Sequence, residues 1–153
     1  MKKIVFLGLV LLLVGSSTGF SQNIPLVKDI EIKVPSPELP KEIIAFSGKW
    51  KGTWSGGGAD LILVVTEIDL EKAEIIYANS DDRLIAAACD YITAKVILGG
   101  NPKIQFIRTV RGKSGRVADK GWYTFEMQKD SKTLKGTGEF PQATSKATLE
   151  KIE

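Results

Sequence analysis

Five cationic side chains, Arg108, Arg111, Lys113, Arg116 and Lys120, fall within 13 residues and are relieved only by Asp119. Among them, Gly112, Lys113, Ser114 and Gly115 make a turn whose backbone N–H groups would form an anion nest. Such a cluster offers contact with a phosphate, a sulfate or an acidic glycan, through Arg108, Arg111, Lys113 and Arg116. A plainer reading has the same charges keeping an exposed hairpin edge from aggregating. Clustered oxygens are the second candidate chemistry. Asn79, Asp81 and Asp82 would suit calcium, but the twelve-residue EF-hand pattern is absent and Arg83 opposes a cation. An Asn-Ser-Asp-Asp turn accounts for these residues, and no metal site is assigned.

Acid–base catalysis would have to draw on Asp60, Glu67, Glu126 and Glu139, each on a presumed polar face. The chain has no histidine. That excludes a Ser-His-Asp triad, a Cys-His pair and a histidine-based zinc site. Cys89 is the one cysteine. It follows Ala86, Ala87 and Ala88 and reads as a small buried residue rather than an activated thiolate. The residue inventory therefore points away from an enzyme and implies no cofactor.

The elements that position these residues start after an export signal. Lys2 and Lys3 precede an apolar run from Ile4 to Val14, and Gly19 and Ser21 sit at −3 and −1 of a cut before Gln22. Residues 1–21 read as a secretory signal, too short for a membrane span. The expected location is periplasmic or extracellular. Of 153 residues, 132 remain, enough for one domain with its own core. Losing two lysines leaves 19 basic against 18 acidic residues. This near-balance gives no reason to expect nucleic acid as a partner. No apolar run after the signal reaches membrane length.

Residues 22–45 read as an extended arm with a short helical turn. Pro25, Pro35, Pro37 and Pro40 punctuate the arm, and residues 26–34 alternate well enough for a short edge strand. Pro40 and Glu42 suit the first turn of a helix, with Ile43, Ile44 and Phe46 as an apolar plug. Residues 46–153 form the folded domain. Alternation and turn residues predict strands over 49–55, 60–68, 73–79, 84–89, 91–98, 103–110, 121–128, 134–140 and 146–151. The stretch 84–98 reads alternatively as one long strand bent at Asp90. Residues 61–65 are apolar on both faces, which predicts cover on both sides. The expected fold is all-β, a single up-and-down antiparallel barrel of about eight strands with a short N-terminal helical plug.

The best-defined motif is Gly48-Lys49-Trp50-Lys51-Gly52-Thr53-Trp54. Its period-two spacing places Trp50, Gly52 and Trp54 on one face, and Gly52 leaves room for a bend or for another side chain against the backbone. A helical plug followed by Gly-x-Trp on the first strand resembles the opening of lipocalin-type and avidin-like barrels, the calycin group. The final Lys132 to Gly138 and Ala147 to Leu149 segments are similar to the last hairpin of such barrels. The resemblance implies that Trp50 has a structural role, closing the barrel floor. It also implies a late cationic residue packed on that ring, a place that an arginine usually takes. Here only Lys146 or Lys151 can fill it, and the usual disulfides are missing.

The barrel interior is then the leading candidate site. Trp54, Tyr77, Phe106, Trp122, Tyr123 and Phe125 are the large groups expected to line it, and an eight-stranded lumen holds either packed side chains or one small ligand. The expected function is non-catalytic binding of a small apolar or amphipathic molecule at the open end, opposite Trp50. Aromatic walls would bury it and arginines would orient a polar head. The alternative is an envelope interaction or structural module, in which residues 22–40 add a strand to a protein partner or are clasped by one.

Overall fold

The computed structural model describes residues 24–26, 28–81 and 85–152. The export signal lies outside the described residues, as do Val27, Asp82, Arg83 and Leu84. Among the described residues one short helix, α1 (Lys41–Ile44), precedes eight strands: β1 (Gly48–Trp54), β2 (Asp60–Ile68), β3 (Lys72–Asn79), β4 (Ala88–Ile97), β5 (Lys103–Arg111), β6 (Val117–Met127), β7 (Thr133–Phe140) and β8 (Ala143–Lys151). Each strand pairs antiparallel with the next, and β1 pairs with β8, so the sheet closes as an up-and-down barrel. Closure leaves no free outer edge to the sheet as a whole.

Alternation along each strand builds the core. Trp50 and Trp54 point inward from β1, with Leu61, Leu63 and Val65 from β2, Tyr77 from β3, Phe106 from β5 and Tyr123 and Phe125 from β6. Gly52 faces the same way, and its role is a close approach. A Cβ there would run into the Thr148 carbonyl oxygen and come within 2.9 Å of the Leu149 side chain. Leu149 therefore fills the space between the two indoles.

Ile43 and Phe46 belong to the same buried cluster as the barrel interior. The Trp50 indole N–H donates to the Phe46 carbonyl at 2.8 Å. Lys151 lies 5.2 Å from the Trp50 ring centroid and donates to the Ala45 carbonyl at 2.8 Å. Of the two lysines open to it, Lys151 thus takes the place on the ring. Burial lowers the pKa of its ammonium group.

Among the described residues of the arm, the expected strand is not formed. Asp29 adopts a positive φ of 60° and the chain bends at residues 28–29, which breaks the extended run. A backbone bond, Lys33 N–H to the Thr66 carbonyl at 2.8 Å, ties the arm to β2, beside a Lys33–Glu67 ion pair of 2.6 Å. Ile30 and Lys33 border a groove with Ile76 and Tyr91. On this outer face Val64 and Ile76 are register partners and both are buried, in keeping with the two-sided cover expected of residues 61–65.

The barrel wall has one weak seam. β4 and β5 pair only from Lys95–Gln105 to Ile97–Lys103, and then meet once more at the Ile85–Gly112 bridge. Ten residue steps separate Ile85 from Lys95, against seven between Gln105 and Gly112. The surplus on the β4 side leaves residues 88–94 without ladder pairs to β5. Asp90, expected to interrupt a strand, instead lies within β4 opposite Tyr77. No strand forms over residues 85–87, where Ile85 makes an isolated bridge to Gly112.

Candidate functional site: an aromatic-floored cavity at the open end

The β1–β2, β5–β6 and β7–β8 turns all lie at the end away from Trp50 and α1. A cavity of about 540 Å³ opens there. Trp54, Tyr77, Tyr123 and Phe140 form its aromatic lining, and Asp119 and Gln142 are among its polar groups. Tyr123 is the hub. Its ring centroid lies 5.7 Å from Trp54, 5.5 Å from Tyr77 and 5.8 Å from Phe140, with steep interplanar angles of 76°, 64° and 88°. Such edge-to-face packing is favoured by the ring quadrupoles. Phe140 reaches the hub because Gly121 has no side chain. A Cβ there would stand 2.6 Å from the Phe140 ring.

Of the six aromatic residues expected to line the interior, three line the cavity: Trp54, Tyr77 and Tyr123. Phe106 and Phe125 lie in the packed core. Phe106 stacks on Tyr123 at 5.4 Å and 4°, and Phe125 lies 6.1 Å from Phe106. Trp122 corrects the expectation outright. It is 49% exposed, on the outer face beside its cross-strand partner Ile107. Consecutive strand residues point to opposite faces, so Trp122 and Tyr123 cannot both face inward.

The expected cationic cluster also divides. Arg108 points into the barrel with Phe106 and Val110 and is only 6% exposed. Its Nε donates to Asp90 at 2.6 Å, its Nη2 donates to Asn79 Oδ1 at 2.9 Å, and its guanidinium carbon lies 4.5 Å above the Tyr77 ring. Burial works against its charge, but the Tyr77 phenol and the Asp90 carboxylate beside it reverse this and raise its pKa. The three partners lace the open stretch of the β4–β5 seam. Arg111, Lys113 and Arg116 are exposed on the outside, and Lys113 pairs with Asp81 at 3.2 Å. The expected nest is occupied by its own hairpin: Gly112 N–H donates to the Arg116 carbonyl and Gly115 N–H to the Gly112 carbonyl.

Two phenols complete the floor. The Tyr77 hydroxyl accepts from the Trp54 indole N–H at 2.8 Å. Burial pushes the Tyr77 pKa far above its ordinary value. Burial also raises that of Tyr123, with the Arg108 guanidinium pulling the other way. Both are therefore neutral near pH 7 and serve as dipoles, not charges.

The oxygen-rich and acidic candidates are dispersed. Asn79 is buried under Arg108 and Asp81 pairs with Lys113. Glu67 pairs with Lys33, and Glu126 accepts from Asn101 and pairs with Lys103 at 2.9 Å, which lowers its pKa. Asp60 accepts from Thr53, and Glu139 is exposed opposite Trp122. Among the described residues no group of three or more such ligands gathers. Cys89 is half-buried opposite Ala78 rather than enclosed.

Sequence reasoning missed Asp90, Asp119 and Phe140 as site residues, and it placed Asn79 in an oxygen-rich turn rather than under Arg108. The signal for Arg108, Asn79 and Asp119 was parity: each lies an even number of residues from an inward aromatic, Phe106, Tyr77 or Tyr123.

Fold and site together define an eight-stranded antiparallel barrel with a packed, tryptophan-based closed end and an aromatic cavity at the other. No family model matches this chain, and no curated protein or solved structure matches it significantly. Among the described residues no helix is long and apolar enough to cross a membrane.

Proposed function

We propose that this protein is an exported, non-catalytic, lipocalin-like binding protein that takes one small apolar or amphipathic molecule into the open end of its barrel. The cavity carries this reading. Its volume of about 540 Å³ falls within the usual range for small-molecule sites. Its floor of four rings offers apolar burial, and polar groups at its margin offer orientation. The Gly-x-Trp strand with Lys151 on the Trp50 ring supports the lipocalin-like placement. Arg108 is committed to Asn79 and Asp90, so orientation of a polar head falls to other groups. The arm-mediated interaction module has less support, because the described arm is engaged with its own β2 through Lys33.

Gly138 provides the test. It lines the cavity, and a Cβ there would meet only ordinary contacts of 3.5 Å with Trp54, Tyr123 and Phe140. Gly138→Phe should fill the cavity from its wall and leave the strands paired. N-phenyl-1-naphthylamine, a neutral dye that brightens in apolar sites, should bind the parent chain at one site per molecule and lose that site in Gly138→Phe. Equal binding by a folded variant, or no binding by the parent chain, refutes the proposal.

A further inference from the structure

The cavity's chemistry says more about its occupant than apolarity does. Among the described residues Asp119 is the only charged residue in the lining. It stands two residues from Gly121 and four from Tyr123, on the inward side of β6 and opposite Val110. Its Oδ1 accepts only the adjacent Lys120 N–H, at 2.8 Å. Below it, the rings of Trp54, Tyr77 and Phe140 are inclined at 64° or more to Tyr123. Ring faces carry negative potential and attract cations, most strongly where water is excluded.

We infer that the cavity takes a cationic headgroup, a quaternary ammonium or a protonated alkylamine, seated on the aromatic floor with Asp119 as its counter-ion. The inference rests on the proposed binding function and names the ligand class for that same site. The cations nearby argue for the opposite sign, but Arg108, 4.5 Å over the Tyr77 ring, is already paired with Asp90 at 2.6 Å, and the exposed ones are poorly placed to decide it. Arg111 and Arg116 do not line the cavity, and Lys113 is paired with Asp81. Charges standing in water are screened over about 8 Å at physiological salt. A carboxylate and ring faces inside the cavity are screened far less.

A matched series separates the possibilities. Benzyltrimethylammonium, neopentylbenzene and phenylmethanesulfonate share a benzyl group and differ in carrying a cationic, a neutral or an anionic head. Each is used to displace N-phenyl-1-naphthylamine from the parent chain. A merely apolar cavity favours the neutral hydrocarbon, which is the poorest solute in water. The expected result is displacement by the cation at a concentration about tenfold lower than by the hydrocarbon. Asp119→Asn should remove most of that preference and leave the hydrocarbon's own displacement unchanged. Circular dichroism checks that the variant is folded. If the hydrocarbon or the sulfonate displaces best, if no member of the series displaces bound dye, or if Asp119→Asn keeps the preference, the cation inference is overturned and the binding proposal stands. If the dye itself fails to bind, the binding proposal falls first.

Discussion

Arg108→Met removes the guanidinium that laces the β4–β5 seam and keeps most of the apolar stem. Three losses follow. Asn79 is fully buried, and its Oδ1 is left without the Arg108 donor, which costs about 1–3 kcal/mol. The cation over the Tyr77 ring contributes about 1–2 kcal/mol in a desolvated site. The Asp90 side chain is 43% exposed and rehydrates, so its share is under about 1 kcal/mol. Against these stands relief from burying a charge, which in some proteins outweighs the pairing altogether. The net expectation is a loss of about 2–4 kcal/mol from a total of about 5–15. At a typical urea m-value this lowers the unfolding midpoint by roughly 1–2 M. Urea titrations followed by far-ultraviolet circular dichroism measure it, and amide exchange should quicken first at residues 88–94. Asp90→Asn keeps an acceptor for Arg108 but leaves its buried charge without a carboxylate, so it should also destabilise, by about 1–3 kcal/mol. A midpoint for Arg108→Met within about 0.3 M of the parent, or above it, would refute the view that the side-chain network holds the seam where backbone pairing stops.

Three further outcomes are expected. Gly52→Ala should destabilise by several kcal/mol or prevent folding, since its Cβ would meet the Thr148 carbonyl, a backbone atom that cannot swing aside. Gly138→Ala, facing only contacts of 3.5 Å, should fold within about 0.5 kcal/mol of the parent; chemical denaturation of the pair checks both. Alkali should unfold the protein from about pH 10 upward. Burial holds the folded-state pKa values of Tyr77 and Tyr123 above the ordinary tyrosine value of about 10. Between the unfolded and folded pKa values the native state therefore binds more protons, and stability, fully present below pH 10, falls as pH rises. Tyrosinate absorbance from these two residues should rise together with loss of circular dichroism; ionisation of both in a still-folded chain would contradict their burial.

Much of the barrel was legible residue by residue. Period-two alternation in Tyr123, Phe125 and Met127, or in Leu61, Leu63 and Val65, is a local property of extended chain, and it assigns faces without reference to partners. Turn residues marked most strand ends, and the spacing of Trp50, Gly52 and Trp54 identified the inward face of β1. Where the reading departed from that rule, in placing Trp122 inside and Arg108 among the outer cations, parity alone would have corrected it. The short strand read into residues 26–34 is not among the described strands, because alternation cannot reveal that Asp29 turns the backbone out of the extended region.

The cavity, by contrast, has no sequence signature. It exists because Phe106 and Phe125 fill one layer of the interior while Gly138 leaves room above it, and those residues come from three strands. The same holds for the seam, which arises from an unequal count of residues between two distant pairing points on β4 and β5. Strand formation and facing depend on neighbours along the chain. Enclosed volume, ring-to-ring angles and the pairing of Arg108 with Asn79 and Asp90 depend on which residues closure brings across the barrel, and only the tertiary structure decides that.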